Sequence, residues 1–369
     1  MAKKLSKLQM AQKRAEEAVK KTNKKIEELG ERTNSLYIAL NTIQALFDRI
    51  RNVPEEEKVK YEELKSIRVS WKQQAEAIEK EYKKTEVKAA GQGAAGIGAG
   101  VAVAALGPTA AMGIATTFGV ASTGTAISAL SGAAATNAAL AWLGGGALAA
   151  GGGGMAAGQA FLALAGPVGW AIAGVSLAAS GLLFFKTQSD KKRLEDIFTL
   201  ISNRDMKSYE LAIVELCERI ERIINESEKL TEAIAKIETF GTDYHRMSEK
   251  QKNELGAYVN LMEASTMLLV NPILGLQPKY TEEDFKKLYA SESRSSRICF
   301  MSRKEMVISM ANLLYKIKLD DKDKKILAKS LKKNKEFLAS VQLSKKEFDT
   351  EDLSMVERAL EYKYRYSTY

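Results

Sequence analysis

The sequence predicts an all-α protein: a long helical hairpin and coiled-coil bundle, a central Gly/Ala-rich apolar segment, and a C-terminal helical domain. Three observations carry this. Apolar residues at Ile26, Leu29, Leu36, Leu40, Ile43, Phe47 and Ile50, with Thr33 in the gap, alternate by three and four, a heptad seam. The 97 residues from Ala89 to Phe185 contain no Lys, Arg, Asp, Glu or His and hold 22 of the 26 glycines. Nowhere does a run alternate apolar and polar residues as a half-buried strand would.

The first unit, 1–88, reads as two helices. One runs from Met1 to about Asn52, and its first twenty residues are polar enough to fray. Asn52-Val53-Pro54 ends it, because the residue before proline disfavours the α conformation. Pro54 suits the first turn of the next helix, where Glu55, Glu56 and Glu57 complement the positive dipole end. That helix, to about Lys88, carries Val59, Leu64, Ile67, Trp71, Ala75, Ile78 and Tyr82 on its apolar face. The two form an antiparallel hairpin.

The second unit, 89–185, is the charge-free segment. About 20 apolar residues cross a bilayer, so two to four spans fit. Gln159 to Phe185 is the clearest, with Trp170 inside and Phe184 and Phe185 at its end; Ile97 to Ala121 is the second. Trp142 lies in the polar, glycine-rich stretch between them. Gly96-x-x-x-Gly100 and Gly154-x-x-x-Gly158 are small-xxx-small patterns suited to close helix packing in lipid. Glycine lowers helix stability in water, so such a segment needs lipid, a partner or burial within a bundle. Lys83, Lys84 and Lys88 stand before it, and Lys186, Lys191, Lys192 and Arg193 after it. Basic residues favour the cytoplasmic side of a span, so two basic flanks imply an even number of crossings.

The third unit, 186–243, completes the bundle. Ser189-Asp190 reads as a cap, followed by a helix with Leu194, Ile197 and Ile201 and a longer one over Asp205–Phe240. The apolar face of the longer helix is Ile213, Cys217, Ile220, Ile224, Leu230, Ile234 and Ile237, and Gly241-Thr242-Asp243 breaks it. The last unit, 244–369, holds a helix over Ser248–Leu269 and a loop at Gly275–Pro278. A capping-box helix then starts at Thr281, and a polar connector runs from Ser291 to Arg297. Further helices fall near 302–317, 323–341 and 351–364.

Chemistry is sparsely signalled. No phosphate-binding loop is present, and Gly93 to Gly100 follows a helix rather than the strand a dinucleotide fingerprint needs. His245 is the single histidine, which argues for a solvated loop residue rather than a catalytic one. Cys217 and Cys299 suggest no disulfide framework, and Cys217 reads as a small core residue. Acidic clusters at Glu55–Glu57 and Glu282–Asp284 are explained by helix dipoles without a metal. The expectation is no catalytic residue, no cofactor and no metal. Net charge is +9, and the Lys-rich stretch 322–335 has few aromatics, so anionic lipid is expected as partner and nucleic acid is not. The start MAKKLSKLQMAQKRAEEAVKK lacks an apolar h-region, so synthesis in the cytoplasm without a signal peptide is expected.

Over residues 1–240, the order of helical hairpin, apolar segment and further long helices resembles the α-helical pore-forming toxins of the cytolysin A and haemolysin BL type. The string from Thr123 to Gly146 is similar to glycine-rich apolar segments in uncharacterised bacterial proteins, some of conflict or defence systems. The resemblance implies a membrane-inserting, pore-forming or permeabilising effector acting as a homo-oligomer, not an enzyme, with both termini on the cytoplasmic side of a host membrane. The alternatives are a soluble coiled-coil scaffold that packs the glycine-rich segment internally, and a membrane-anchored structural protein.

Overall fold

A computed structural model describes residues 6–91, 108–118, 186–333, 337–338, 341 and 343–366. Within them the fold is all-α, as the sequence predicts, and no strand occurs. Helix α1 spans Lys7–Arg49, α2 Glu55–Gly91, α3 Pro108–Phe118, α4 Gln188–Ile237 and α5 Glu249–Val270. The C-terminal part contains α6 (Glu282–Ser291), α7 (Arg294–Ser302), α8 (Lys304–Leu314), α9 (Asp321–Leu331) and α10 (Thr350–Tyr366).

The main packing axis is α1 against α4. Every member of the α1 seam from Ile26 to Ile50 is buried, Thr33 included; its hydroxyl is satisfied by donating back to the Leu29 carbonyl. Burial continues toward the start of α1 through Leu8, Ala11, Ala15, Ala18 and Thr22. The expected fraying is not seen from Ser6 on, where a capping box with Gln9 closes the first turn. Lys25 lies beside Cys217, and Arg51 pairs with Asp243 through backbone hydrogen bonds of 2.9 and 3.0 Å at either side. The same sequence offset separates both pairs, so α1 and α4 run side by side in the same direction. The chain turns away from α1 at Asn52, whose positive φ of 62° is tolerated because its amide bonds Asp243 at 3.0 Å.

Helix α2 returns antiparallel to α1. Phe47 meets Tyr61 edge-on at 5.2 Å, Gln44 accepts from Arg68 at 2.5 Å, and Tyr37 meets Trp71 at 5.4 Å. The buried face of α2 is Tyr61, Leu64, Arg68, Trp71 and Ala75; Leu64, Trp71 and Ala75 are as predicted, and the side chains of Ile78 and Tyr82 lie outside the description. Val59 is exposed, Ile67 is only partly buried, and a cation takes the inner place. Helix α5 runs antiparallel to α4, since Glu226 faces Ser265 while Glu215 accepts from the Gly275 amide at 3.0 Å.

Helix α4 corrects the sequence reading in three ways. It is continuous from Gln188 to Ile237 with no break near Asp205. Its N-cap is Thr187, whose hydroxyl accepts from the Asp190 amide, rather than Ser189. Its buried seam is Tyr209, Ala212, Leu216, Ile220, Ile223, Leu230, Ala233 and Ile237, so Cys217 is exposed rather than a core residue. Three arginines of α4 tie other helix ends to this spine. Arg193 meets the α9 N-terminal carboxylates of Asp320 and Asp323 at 2.8 and 2.6 Å. Arg204 donates to the Leu313 and Tyr315 carbonyls that end α8, and Arg219 to those of Leu268 and Asn271 that end α5.

The C-terminal helices close a second part of the core around α8 and α10, with Val307, Met310, Leu314, Leu353, Val356 and Leu360 inside. Residues 294–297, read as connector, open helix α7 instead, because Ser293 accepts from the Ser296 amide as its N-cap. Buried or half-buried ion pairs staple the helices: Arg303 to Asp352 at 3.0 Å, Arg358 to Glu292 at 2.6 Å and Lys363 to Asp284 at 2.5 Å.

Candidate functional site

Two parts of the charge-free segment lie among the described residues: 89–91, which end α2, and 108–118, which is docked in the bundle. Helix α3, PTAAMGIATTF, packs against α1, α2 and α5. Ala111 through Thr117 are all buried, with Ile114 and Ala115 at 1% and 0% exposure. This helix falls within the second predicted span, Ile97–Ala121.

The approach of α3 to α1 is backbone on backbone. A Cβ at Gly30 would drive into the Thr109 carbonyl and stand 3.0 Å from the Gly113 amide nitrogen. A Cβ at Gly113 would drive into the Ile26 carbonyl and stand 3.0 Å from the Gly30 nitrogen. No side chain larger than hydrogen fits either place without moving a helix. At its C-terminal end α3 is held by the loop after α5. The Ile273 amide donates to the Thr117 carbonyl at 2.8 Å, and the Gln277 side-chain amide reaches the same oxygen at 3.4 Å. The Thr117 hydroxyl bonds back to the Gly113 carbonyl at 2.7 Å.

Helix α2 buries a cation on its inner face. Arg68 is 1% exposed, donates to Thr266 at 3.2 Å and Gln44 at 2.5 Å, and makes no ion pair among the described residues. Burial lowers its pKa to about 10. The Arg68 Nε, the Trp71 indole N–H, the Thr116 hydroxyl and the Asn23 side-chain oxygen are buried on α1, α2 and α3 without a hydrogen-bond partner among the described residues. Each such group costs roughly 1–3 kcal/mol.

The other predicted site residues divide into three sets. Gly96, Gly100, Trp142, Gly154, Gly158, Trp170, Phe184 and Phe185 lie outside the described residues. Lys83, Lys84 and Lys88 fall on the backbone of α2, and their side chains lie outside the description. After the segment, Lys186 and Lys192 are exposed, Lys191 faces Glu195 at 3.9 Å, and Arg193 is engaged by Asp320 and Asp323. Of the four, Arg193 therefore has a structural task that competes with lipid contact.

His245 is exposed on a turn at Tyr244–Arg246, where Asp243 accepts from its amide at 3.2 Å. Cys217 is 20 helical residues before Ile237, about 30 Å of rise, so it does not meet His245. Among the described residues no three His, Cys, Asp or Glu side chains cluster as metal ligands would. The stretch Glu249–Leu276 is long and apolar enough to cross a bilayer. Leu255, Val259, Met262 and Leu269 are buried there against neighbouring helices, as in the core helix of a water-soluble bundle.

Gly30 and Arg68 were not singled out by the sequence reading. Gly30 had one usable signal: it is the only glycine inside a 43-residue helix, where glycine costs stability unless packing needs it. No known protein-family model matches the chain, and no curated protein or solved structure resembles it significantly.

Proposed function

We propose that the chain is a membrane-acting protein whose helical bundle shelters a charge-free segment and delivers it to a lipid bilayer. One observation carries the reading: 97 consecutive residues without a charge, bounded by lysines on both sides. Such length exceeds what one core helix needs and matches two or more spans. Insertion as a hairpin, with both basic flanks left on one face of an anionic membrane, satisfies the charge pattern. Pore formation or permeabilisation by a homo-oligomer is the form the layout favours.

The second reading, a soluble scaffold that packs the segment internally, is favoured by the seating of α3 between α1, α2 and α5. The two differ in what lipid does. Purified protein mixed with vesicles containing anionic lipid should float, resist carbonate extraction and release a trapped dye. A protein that stays wholly in the aqueous fraction under each condition tried defeats the first reading and leaves the second.

A further inference from the structure

We propose that the Gly30–Gly113 crossing is a steric clasp that seats α3 in the bundle, and that its opening commits α3 to leave. The second half of this rests on the membrane reading above. The crossing depends on two missing side chains, so contact between the backbones is all-or-none at this point.

The rest of the α3 berth is apolar packing and one hydrogen-bonded end. The helix carries no charged residue and so makes no ion pair. Its C-terminal tie is the Thr117 carbonyl with Ile273 and Gln277. Thr116 is buried with no hydrogen-bond partner for its hydroxyl among the described residues. Exposing Met112 and Ile114 opposes departure, and relief of the Thr116 hydroxyl favours it.

The spine does not depend on α3. Pairing of Arg51 with Thr242 and Tyr244, and of Arg219 with the end of α5, joins α1, α4 and α5 directly. Helix α3 can therefore leave with the α1–α4–α5 spine still joined.

The test compares Gly30→Leu and Gly30→Ala with the unsubstituted chain, Gly256→Ala serving as a glycine control in open space. Hydrogen exchange is read at amides 109–117 and along the spine. The expected result is exchange at least tenfold faster in 109–117, unchanged spine protection, and several-fold more protein floating with phosphatidylglycerol-containing vesicles. In a background lacking Cys217 and Cys299, a disulfide between Thr117→Cys and Ile273→Cys should abolish flotation until it is reduced. Should Gly30→Leu unfold the spine too, Gly30→Ala decides, because a Cβ alone already strikes the Thr109 carbonyl. Unchanged exchange at 109–117 in Gly30→Ala overturns the clasp. Faster exchange without flotation supports the clasp and defeats the membrane reading.

Discussion

Asp205 shows how one side chain can set a pH dependence. It is buried on α4 beside Arg204 at 2.7 Å, while its second oxygen has no hydrogen-bond partner among the described residues. Burial pushes its carboxyl up to about 6, against the pull of Arg204 and Lys279, with the buried Tyr209 as its other titratable neighbour. The ion pair alone would lower this value; loss of hydration outweighs it because the carboxylate has only one partner for two oxygens. The folded value lies above the unfolded one, so protonation favours the folded chain. Stability from this group should grow as pH falls from about 7 to about 4, and Asp205→Asn should flatten that part of the profile in thermal melts. Gly256 predicts a plainer effect. A Cβ there meets nothing within 4 Å, so Gly256→Ala should stabilise the chain by roughly 0.5–1 kcal/mol in denaturant titrations.

At the scale of the element, the α1 seam is the most consequential. Leu36 and Leu40 are 0% exposed between α1 and its neighbours. Leu36→Ala should cost about 2–5 kcal/mol, seen as a lower midpoint with an unchanged slope in denaturant. Helix starts are legible for the same local reason that makes them stable. Ser248 with Gln251, and Thr281 with Asp284, satisfy each other across three residues, which a reader of sequence can count. Seams set by tertiary contact are less legible. On α2, Leu64, Trp71 and Ala75 are legible as inner positions, whereas Arg68, a charge at an inner position, is not. The break expected before Asp205 does not occur: Arg204 and Asp205 turn inward as an ion pair, and Arg204 reaches the carbonyls that end α8. The Gly30–Gly113 contact joins residues far apart in the chain. No local pattern encodes their pairing, although the lone glycine in α1 marked a place worth asking about.

At the scale of the molecule, two kinds of chain are joined. The flanks are charge-rich helices tied by ion pairs and capped ends, and the middle carries no charge. That contrast gives the most direct whole-chain experiment. In the stretch Gln159 to Phe185, Ile172 lies near the centre, where an arginine on a spanning helix costs about 2.5–3.5 kcal/mol on insertion scales. Ile172→Arg should therefore remove most of the carbonate-resistant fraction, while Lys186→Ala with Lys192→Ala should weaken only attraction to anionic vesicles, by about 1 kcal/mol per lysine at low salt. The two effects separate by ionic strength. Added salt mimics the loss of the lysines and does not mimic the arginine, because screening acts on surface charge and leaves the cost of a charge in hydrocarbon untouched. A scaffold that keeps the segment in water-soluble packing predicts the opposite order. Its fractionation would be indifferent to vesicles and to salt, and Ile172→Arg would appear as a loss of thermal stability instead.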